Sequence, residues 1–250
     1  MQATILNTDG TEAGELDLPR IFETPYRPDL IQRAVDVQHA NGTQPYGSDP
    51  FAGKRTSAES AGAGFGRARI PRSNNRARRV PQAIGGRRAH PPKTTKDRGK
   101  SINKQERQLA TKSAIAATAQ ADLVADRGHA FAEDVSFPIV VDDEFGSMTK
   151  TQEVLSLLED IGVADDITRA EDGRGIRAGR GTTRGRKYKG PASILFVTDS
   201  DTGPSRAARN LAGATVVTAR EVNVSDLAPG GNPGRLTVWT ESAIEEVANR

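Results

Sequence analysis

Residues 194–218 read ILFVTDSDTGPSRAARNLAGATVVT, and the alternation within them indicates the class of fold. Two short runs rich in β-branched and apolar residues, Ile194–Thr198 and Thr215–Thr218, predict strands. Between them, Ser205–Leu211 predicts a helix. The same order continues towards the C-terminus, where Leu236–Thr240 predicts a strand and Glu241–Asn249 a helix. Short strands that alternate with helices are typical of βαβ units around a parallel sheet, so we predict an α/β protein.

The segments upstream predict further elements of the same domain. They are a hairpin of Gln2–Leu6 and Glu15–Leu18, a helix from Asp29 to about Ala40 ended by Asn41-Gly42, a helix from Asn103 to about Ala121 with Asn103 and Glu106 as a capping box, a strand at Ile139–Val141, and a helix from about Thr149 ended by Gly162. Together these elements predict a three-layer α/β/α globular domain with a mostly parallel sheet. A long extended basic loop is inserted after the first helix.

That loop, residues 44–104, differs in composition from the rest of the chain. It contains 15 basic and three acidic residues, a net charge of +12, whereas the other 189 residues carry a net charge of −9. It holds four branched aliphatic residues, eight glycines and six prolines. Ordering each residue costs about 1–2 kcal/mol of backbone entropy, which burial of four aliphatic side chains does not offset. We therefore predict a globular domain of residues 1–43 and 105–250, and an extended loop that a polyanion must order.

A second basic segment, residues 174–189, holds seven basic side chains, four glycines and no acidic residue. It lacks the apolar periodicity of a helix or strand, so we predict a phosphate-contacting loop. Arginine outnumbers lysine 26 to nine in the whole chain. Because the planar guanidinium matches phosphate bidentately and stacks on bases, this preference favours contact with nucleic acid.

Composition also excludes several classes of site. The sequence has no cysteine, which excludes a disulfide framework, a thiolate nucleophile and sulfur-ligated zinc. His39, His90 and His129 are too widely separated for metal-ligand spacing, and His129 is expected in a turn beside Arg127. The N-terminus lacks a basic start and a long apolar run, and no apolar stretch reaches the length of a membrane span. We expect a soluble intracellular chain without metal or cofactor.

Three further motifs have an ordinary interpretation that we prefer. The glycines of Gly62–Gly66 lack the preceding strand and following helix of a dinucleotide-binding loop, so they predict flexible backbone. The residues Asp199-Ser200-Asp201-Thr202-Gly203 follow a strand where α/β enzymes often bind ligands, but they fit an ordinary strand-to-helix turn. The acidic run Asp142-Asp143-Glu144 could hold a hard metal ion, and a solvated acidic turn is the preferred interpretation.

Several motifs resemble the archaeal and eukaryotic branch of the fourth large-subunit ribosomal protein (L-four) family. They are Arg55–Ser60, Gly64–Pro71, Arg79–Ala83, Gly85–Lys93 (GGRRAHPPK), Asn103–Arg107, Arg184–Tyr188 and Leu227–Gly231. The resemblance covers essentially the whole chain, and the stretch Gly85–Lys93 is quite specific. The acidic remainder with little lysine also resembles the proteins of halophilic archaea.

The resemblance implies a structural constituent of the large ribosomal subunit, in the cytoplasm, that has no catalytic role. Such a protein binds rRNA early in assembly, and its loop lines part of the nascent-peptide exit tunnel. The implied partners are several rRNA domains and neighbouring large-subunit proteins, including another tunnel-lining protein, with no membrane or small-molecule substrate. The implied rRNA-binding residues are Lys54, Arg55, Arg67, Arg69, Arg72, Arg76, Arg78, Arg79, Arg87, Arg88, His90, Lys93, Arg184, Arg186, Lys187 and Lys189. The tunnel-side tip falls near Pro71–Pro81 and comprises Arg72, Asn74, Asn75, Arg76, Arg78 and Arg79.

Two alternatives belong to other classes of function. The turn at Asp199–Ser205 leaves open an α/β enzyme or nucleotide-binding protein that carries an RNA-targeting arm. A regulator whose basic loop meets acidic proteins is the other alternative, and it would not prefer RNA over another polyanion.

Overall fold

The computed structural model describes residues 1–200 and 203–248. In chain order the strands are β1 (Gln2–Leu6), β2 (Glu12–Asp17), β3 (Arg72–Ser73), β4 (Arg76–Ala77), β5 (Ile139–Val141), β6 (Gly175–Ile176), β7 (Tyr188–Lys189), β8 (Leu195–Thr198), β9 (Thr215–Thr218) and β10 (Thr237–Thr240). The α-helices are α1 (Pro28–Gly42), α2 (Lys104–Ala117), α3 (Ala121–Asp126), α4 (Thr151–Ile161), α5 (Ala164–Asp172), α6 (Gly203–Ala208), α7 (Val224–Leu227) and α8 (Glu241–Ala248). Short 3-10 helices span Arg20–Glu23, Asp143–Ser147, Thr182–Arg184 and Pro229–Gly231.

The central sheet has six strands in the order β2-β1-β5-β10-β8-β9. β1 and β2 form an antiparallel hairpin, and every other neighbouring pair in this sheet is parallel. Parallel neighbours require crossover connections, which α4, α5, α6 and α7 supply between β5, β8, β9 and β10. The predicted α/β class and mostly parallel sheet are confirmed.

Alternate residues of the central strands enter two separate hydrophobic clusters, one on each face of the sheet. Val140, Leu195 and Trp239 pack with residues of α1, α2 and α8, and Trp239 meets Phe22 edge-on with ring centroids 5.7 Å apart. Their sequence neighbours Ile139, Phe196 and Val238 pack instead with residues of α3, α4 and α5. Since successive side chains of a strand point to opposite faces, this division confirms the predicted α/β/α layering.

The helix predicted from Asn103 to about Ala121 is interrupted. α2 ends at Ala117, the backbone of Gln120 is extended, and α3 begins at Ala121. The Thr118 hydroxyl donates a hydrogen bond of 2.7 Å to the Ile115 carbonyl, so it satisfies an acceptor at the end of α2. No glycine or proline marks this break, which is why the sequence pattern did not predict it.

The predicted capping box at the start of α2 is wrong. Asn103 is the N-cap residue, but its side chain accepts no capping hydrogen bond. Glu106, its predicted partner, instead pairs with Arg33 of α1, with an N–O distance of 3.3 Å. The Glu106 carboxylate therefore binds a residue of another helix and does not cap α2.

The other predicted elements are found, with shifted ends at several of them. β2 begins at Glu12 rather than Glu15, α4 begins at Thr151, and α6 spans Gly203–Ala208 rather than Ser205–Leu211. Gly162 ends α4 as predicted, in the left-handed conformation with φ 82°. α8 ends at Ala248, and Asn249 lies outside the described residues.

The chain divides into two compact units. The first, the globular unit, comprises Met1–His39 and Ser101–Arg250, and it contains the six-stranded sheet. The second, Ala40–Lys100, is called the arm below. Among the described residues, none of the helices combines the length and apolar character that crossing a membrane requires.

Candidate nucleic-acid interface

The arm has almost no interior. All of its residues are described, and Ala58 is the one among them that is buried. Its large apolar side chains lie at the surface, with Tyr46, Phe51 and Phe65 between 60% and 66% exposed and Ile84 95% exposed. Burial of apolar area is the dominant stabilising term in folding. The arm must therefore obtain its order from polar contacts or from a partner.

The arm has two limbs, the stretch of chain that leads away from its root and the stretch that returns to it. Polar and backbone contacts join these two limbs. At its root, the Asn41 side chain donates to the Lys100 carbonyl and accepts from the Lys100 amide, at 3.1 and 2.9 Å. Further along, Arg98 donates to the Tyr46 carbonyl and lies over the Tyr46 ring, 3.6 Å from its centroid. Gly53 then passes the opposite limb so closely that a Cβ atom there would lie 2.5 Å from the Gly86 carbonyl oxygen. The limbs run side by side because glycine permits this approach.

The predicted tip residues form a small hairpin. β3 and β4 pair antiparallel, with Arg72 opposite Ala77 and Ser73 opposite Arg76. The two linking residues, Asn74 and Asn75, have φ angles of 49° and 63°. Positive φ at both central residues is the conformation of a type I′ hairpin turn, in which asparagine is favoured.

The twelve predicted rRNA-binding residues of the arm fall into two groups that the sequence could not separate. One group donates hydrogen bonds within the arm: Arg79 to the Thr56 carbonyl at 2.5 Å, Arg67 to the Asn75 side chain at 3.1 Å and Arg78 to the Ile84 carbonyl at 3.4 Å. To the same group belong Arg72, which donates to the Asn75 carbonyl, and Arg55, which pairs with Asp49. These side chains act as part of the scaffold of the arm.

The second group projects into solvent. Its members are Lys54, Arg69, Arg76, Arg87, Arg88, His90 and Lys93, all exposed. Within the described part of the chain, none of these side chains forms a hydrogen bond or an ion pair. Like charges at this density repel one another, so the surface is complementary to a polyanion.

The second basic segment, predicted to be a phosphate-contacting loop, contains two short paired strands that the sequence did not predict. β6 pairs antiparallel with β7, and a 3-10 turn at Thr182–Arg184 lies between them. Strands of two residues are too short for an alternating pattern, so no signal in the sequence marks them. The predicted residues Arg184, Arg186, Lys187 and Lys189 are all exposed. The segment Arg174–Lys189 is called the basic hairpin below.

A buried polar cluster supports the root of the basic hairpin. The Asp166 carboxylate accepts from His129 Nδ1 at 3.0 Å, from Arg169 Nε at 2.8 Å and from the Ala130 amide at 3.1 Å. Arg169 also donates to the Ala192 carbonyl at 3.0 Å, at the end of the hairpin that leads into β8. Burial by itself raises the pKa of Asp166, but these hydrogen bonds outweigh it and hold the pKa below its ordinary value.

The sequence did not predict this cluster. We expected His129 in a turn, yet its side chain is 2% exposed and pairs with a residue 37 positions away. A buried aspartate at the start of α5 is itself uncommon, because charged side chains are rarely buried unless they are paired. The one available signal was the histidine beside an arginine, which is too weak to identify partners.

Of the three remaining motifs, two lie entirely within the described residues. Gly62, Gly64 and Gly66 have positive φ angles and lie in irregular backbone. Asp143 accepts hydrogen bonds from the amide and hydroxyl of Ser242, at 3.1 and 2.6 Å, in the first turn of α8. In the described ranges no group of three or more His, Asp or Glu side chains could hold a metal ion. Asp201 and Thr202 of the third motif lie outside the described residues.

The structure thus defines a class: an α/β protein whose exposed cations are concentrated on a coreless arm and a basic hairpin. The family described as Ribosomal protein L4/L1 family matches residues 16–250. The chain is 61% identical to the large ribosomal subunit protein uL4 of Halobacterium salinarum and 63% identical to that of Halorubrum lacusprofundi, over 250 residues and the full length of both chains. It is 51% identical to that of Methanocaldococcus jannaschii over 251 residues, which cover 100% of this chain and 99% of the relative. The chain belongs to the Ribosomal protein L4/L1 family, and it is not an enzyme.

Proposed function

We propose that this chain is a structural component of the large ribosomal subunit and binds rRNA through its arm and its basic hairpin. The observation that carries the proposal is the outward group of arm cations, which has no anionic partner within the described chain. Half or more of the hydrogen bonds between proteins and nucleic acids go to phosphate and sugar, and arginine and lysine donate many of them. The relatives are named as large ribosomal subunit proteins, which agrees with rRNA as the polyanion.

The arm binds as an extended element between RNA segments and acts early in assembly. The arm buries almost no apolar surface, so contacts with the RNA around it add to its few internal polar contacts and its ordering is coupled to binding. A 61-residue arm that turns back on itself spans up to about 100 Å at about 3.3 Å per residue. This reach suits insertion into folded RNA, where neighbouring large-subunit proteins also contact the chain.

The tip hairpin lies at the wall of the nascent-peptide exit tunnel, beside another tunnel-lining protein. What supports this assignment is its small cross-section, two antiparallel strands of two residues each. Asn74, Asn75 and Arg76 are exposed at its end. The bonds of Arg67 and Arg72 to Asn75 would keep the turn in one conformation next to a passing peptide.

Sedimentation of a native extract tests the location of the chain. We expect the chain to co-migrate with large subunits on a sucrose gradient and to remain with them as salt is raised. Contacts distributed along an inserted arm release slowly, because many must break together. A major free pool, or loss of the chain at mild salt, would contradict a deeply inserted arm and indicate a peripheral role.

Substitution of outward arginines tests the RNA contacts themselves. The triple variant Arg69→Ala, Arg87→Ala, Arg88→Ala should lower the slope of log affinity against log salt by about 2, since each lost phosphate contact contributes about 0.7. The measurement is filter binding to deproteinised large-subunit rRNA over a KCl series. Arg20, Arg107 and Arg209, which are exposed in the globular unit, provide a triple alanine control with the same change in charge. An equal change of slope in both variants would refute a specific role for the arm.

A further inference from the structure

An aromatic and an aliphatic side chain are exposed side by side on the basic hairpin. Tyr188 is 55% exposed and Ile176 is 64% exposed. The two residues are directly opposite each other in the β6–β7 register, so both side chains project from the same face. The chain has seven Phe, three Tyr and one Trp, and Tyr188 is the one aromatic residue of the basic hairpin. The position of this one calls for a partner.

Two cations border the Tyr188 ring. The guanidinium carbon of Arg174 and the Nζ atom of Lys187 each lie 5.4 Å from the ring centroid, within the range of cation–π attraction. Neither side chain forms an ion pair in the part of the chain that the structure describes. Both cations can therefore engage an incoming anion without breaking an existing pair.

The root of the basic hairpin is held in place, so the ring is presented from a defined position. Arg169 donates to the Ala192 carbonyl, and Gly173 meets Pro191 so closely that a Cβ atom at Gly173 would lie 2.9 Å from the Pro191 Cγ atom. These contacts join the end of α5 to the segment that enters β8. A ring on a fixed support loses less entropy on binding than one on a mobile loop.

The positive charge around the Tyr188 ring favours nucleic acid as its partner over an apolar protein surface. Seven basic and no acidic residues lie within Arg174–Lys189. Charged residues are depleted at the centre of protein–protein interfaces, whereas a positive surface with an aromatic ring is the usual device for holding an unpaired base. The base stacks on the ring, and the cations contact the flanking phosphates.

We infer that Tyr188 is a stacking platform for one unpaired base of rRNA, with Arg174 and Lys187 as contacts to the adjoining phosphates. The inference rests on the proposed function, since it requires that the chain bind rRNA. It adds base stacking to the phosphate contacts of the proposed function. Stacking persists when salt screens the phosphates, because the Debye length is about 3 Å at 1 M ionic strength.

Filter binding of the full chain to deproteinised large-subunit rRNA separates stacking from charge. The variant Tyr188→Ala should weaken binding by about 5- to 150-fold, as one lost base stack does, and leave the salt slope unchanged. Tyr188→Phe should bind within about 2-fold of the parent chain, because it keeps the ring. Arg184→Ala should instead lower the slope by about 0.7. Since Tyr188 is exposed, circular dichroism of the variants is expected to match that of the parent.

A fluorescent reporter locates the contact. The chain has one tryptophan, Trp239, which is fully buried, so Tyr188→Trp places a second indole at the surface. Addition of the same rRNA should quench the fluorescence of the introduced indole. The matched control is Tyr26→Trp, at an exposed tyrosine of the globular unit outside the basic hairpin, and we expect its signal to change little.

The outcomes separate this inference from the proposed function. If the parent chain binds rRNA while Tyr188→Ala binds equally well and the introduced indole is not quenched, the stacking platform is refuted and the rRNA-binding function stands. If the parent chain does not bind rRNA, both fail. If Ile176→Ala is as damaging to subunit incorporation as Tyr188→Ala and neither changes binding to naked rRNA, the face contacts a neighbouring protein instead, which also overturns the inference.

Discussion

Replacement of residues 43–99 by a short Gly-Ser linker is expected to abolish specific binding to rRNA and to leave the globular unit folded. The arm supplies twelve of the sixteen residues assigned to rRNA, including the whole outward group of cations. Affinity should fall by about 1,000-fold, the lower end of the ratio between specific and non-specific binding. The salt slope should fall by about 4 if six phosphate contacts are lost. Filter binding to deproteinised large-subunit rRNA measures both quantities.

The structure indicates where the arm can be cut. Asn41 and Lys100 are held together by two hydrogen bonds, so a few residues are enough to reconnect the chain there. Both core clusters are built from residues of the globular unit. We therefore expect the shortened chain to unfold cooperatively, with the circular dichroism of an α/β protein.

A matched variant shows whether the affinity for rRNA depends on the arm or on the total positive charge of the chain. Alanine at Arg184, Arg186, Lys187 and Lys189 leaves the arm intact and removes the other four assigned residues. Its salt slope should fall by less than 3, and it should retain most of the specific affinity. If the chain without its arm binds rRNA within about 3-fold of the parent, the arm is not the main rRNA-binding element.

The elements that the sequence predicted are those with strong local signals. The runs Ile139–Val141 and Thr215–Thr218 have the observed bounds of β5 and β9, because continuous apolar or β-branched residues mark strands in parallel sheets. Gly162 marks the end of α4 because glycine tolerates the left-handed conformation. Charge and composition likewise predict an extended basic loop over residues 44–104, and this division of the chain stays a prediction.

What the sequence missed depends on contacts between distant residues. Arg79 donates to the Thr56 carbonyl, whereas Arg69 is exposed to solvent. The neighbouring sequence does not distinguish the two arginines, because each is followed by an aliphatic residue and a proline. Glu106 pairs with an arginine of another helix and does not form the predicted capping box. The partners of His129 lie in a helix 37 or more residues away. Such choices are made by tertiary packing, which overrides local preference.

Asp166→Ala is expected to lower the free energy of unfolding by about 3–5 kcal/mol, the usual effect of removing one partner from a buried ion pair. The His129 ring, the Arg169 guanidinium and the Ala130 amide would all lose their common acceptor. Urea denaturation at neutral pH measures the loss. Asp165, the exposed neighbour on α5, provides the control, since Asp165→Ala should change the unfolding free energy by less than about 0.5 kcal/mol.

The pH dependence of unfolding identifies the carboxylate as the cause. The pKa of Asp166 is lower in the folded chain than its ordinary value of 3.8, so the unfolded chain binds the proton more readily. The stabilisation is therefore complete above pH 3.8 and is lost as the pH falls through the lower, folded-state pKa. Asp166→Asn, which keeps the shape but cannot ionise, should show a shallower loss of stability below pH 4 than the parent chain. Equal pH profiles for the two would mean that the cluster stabilises the hairpin root through packing and not through the charge of Asp166.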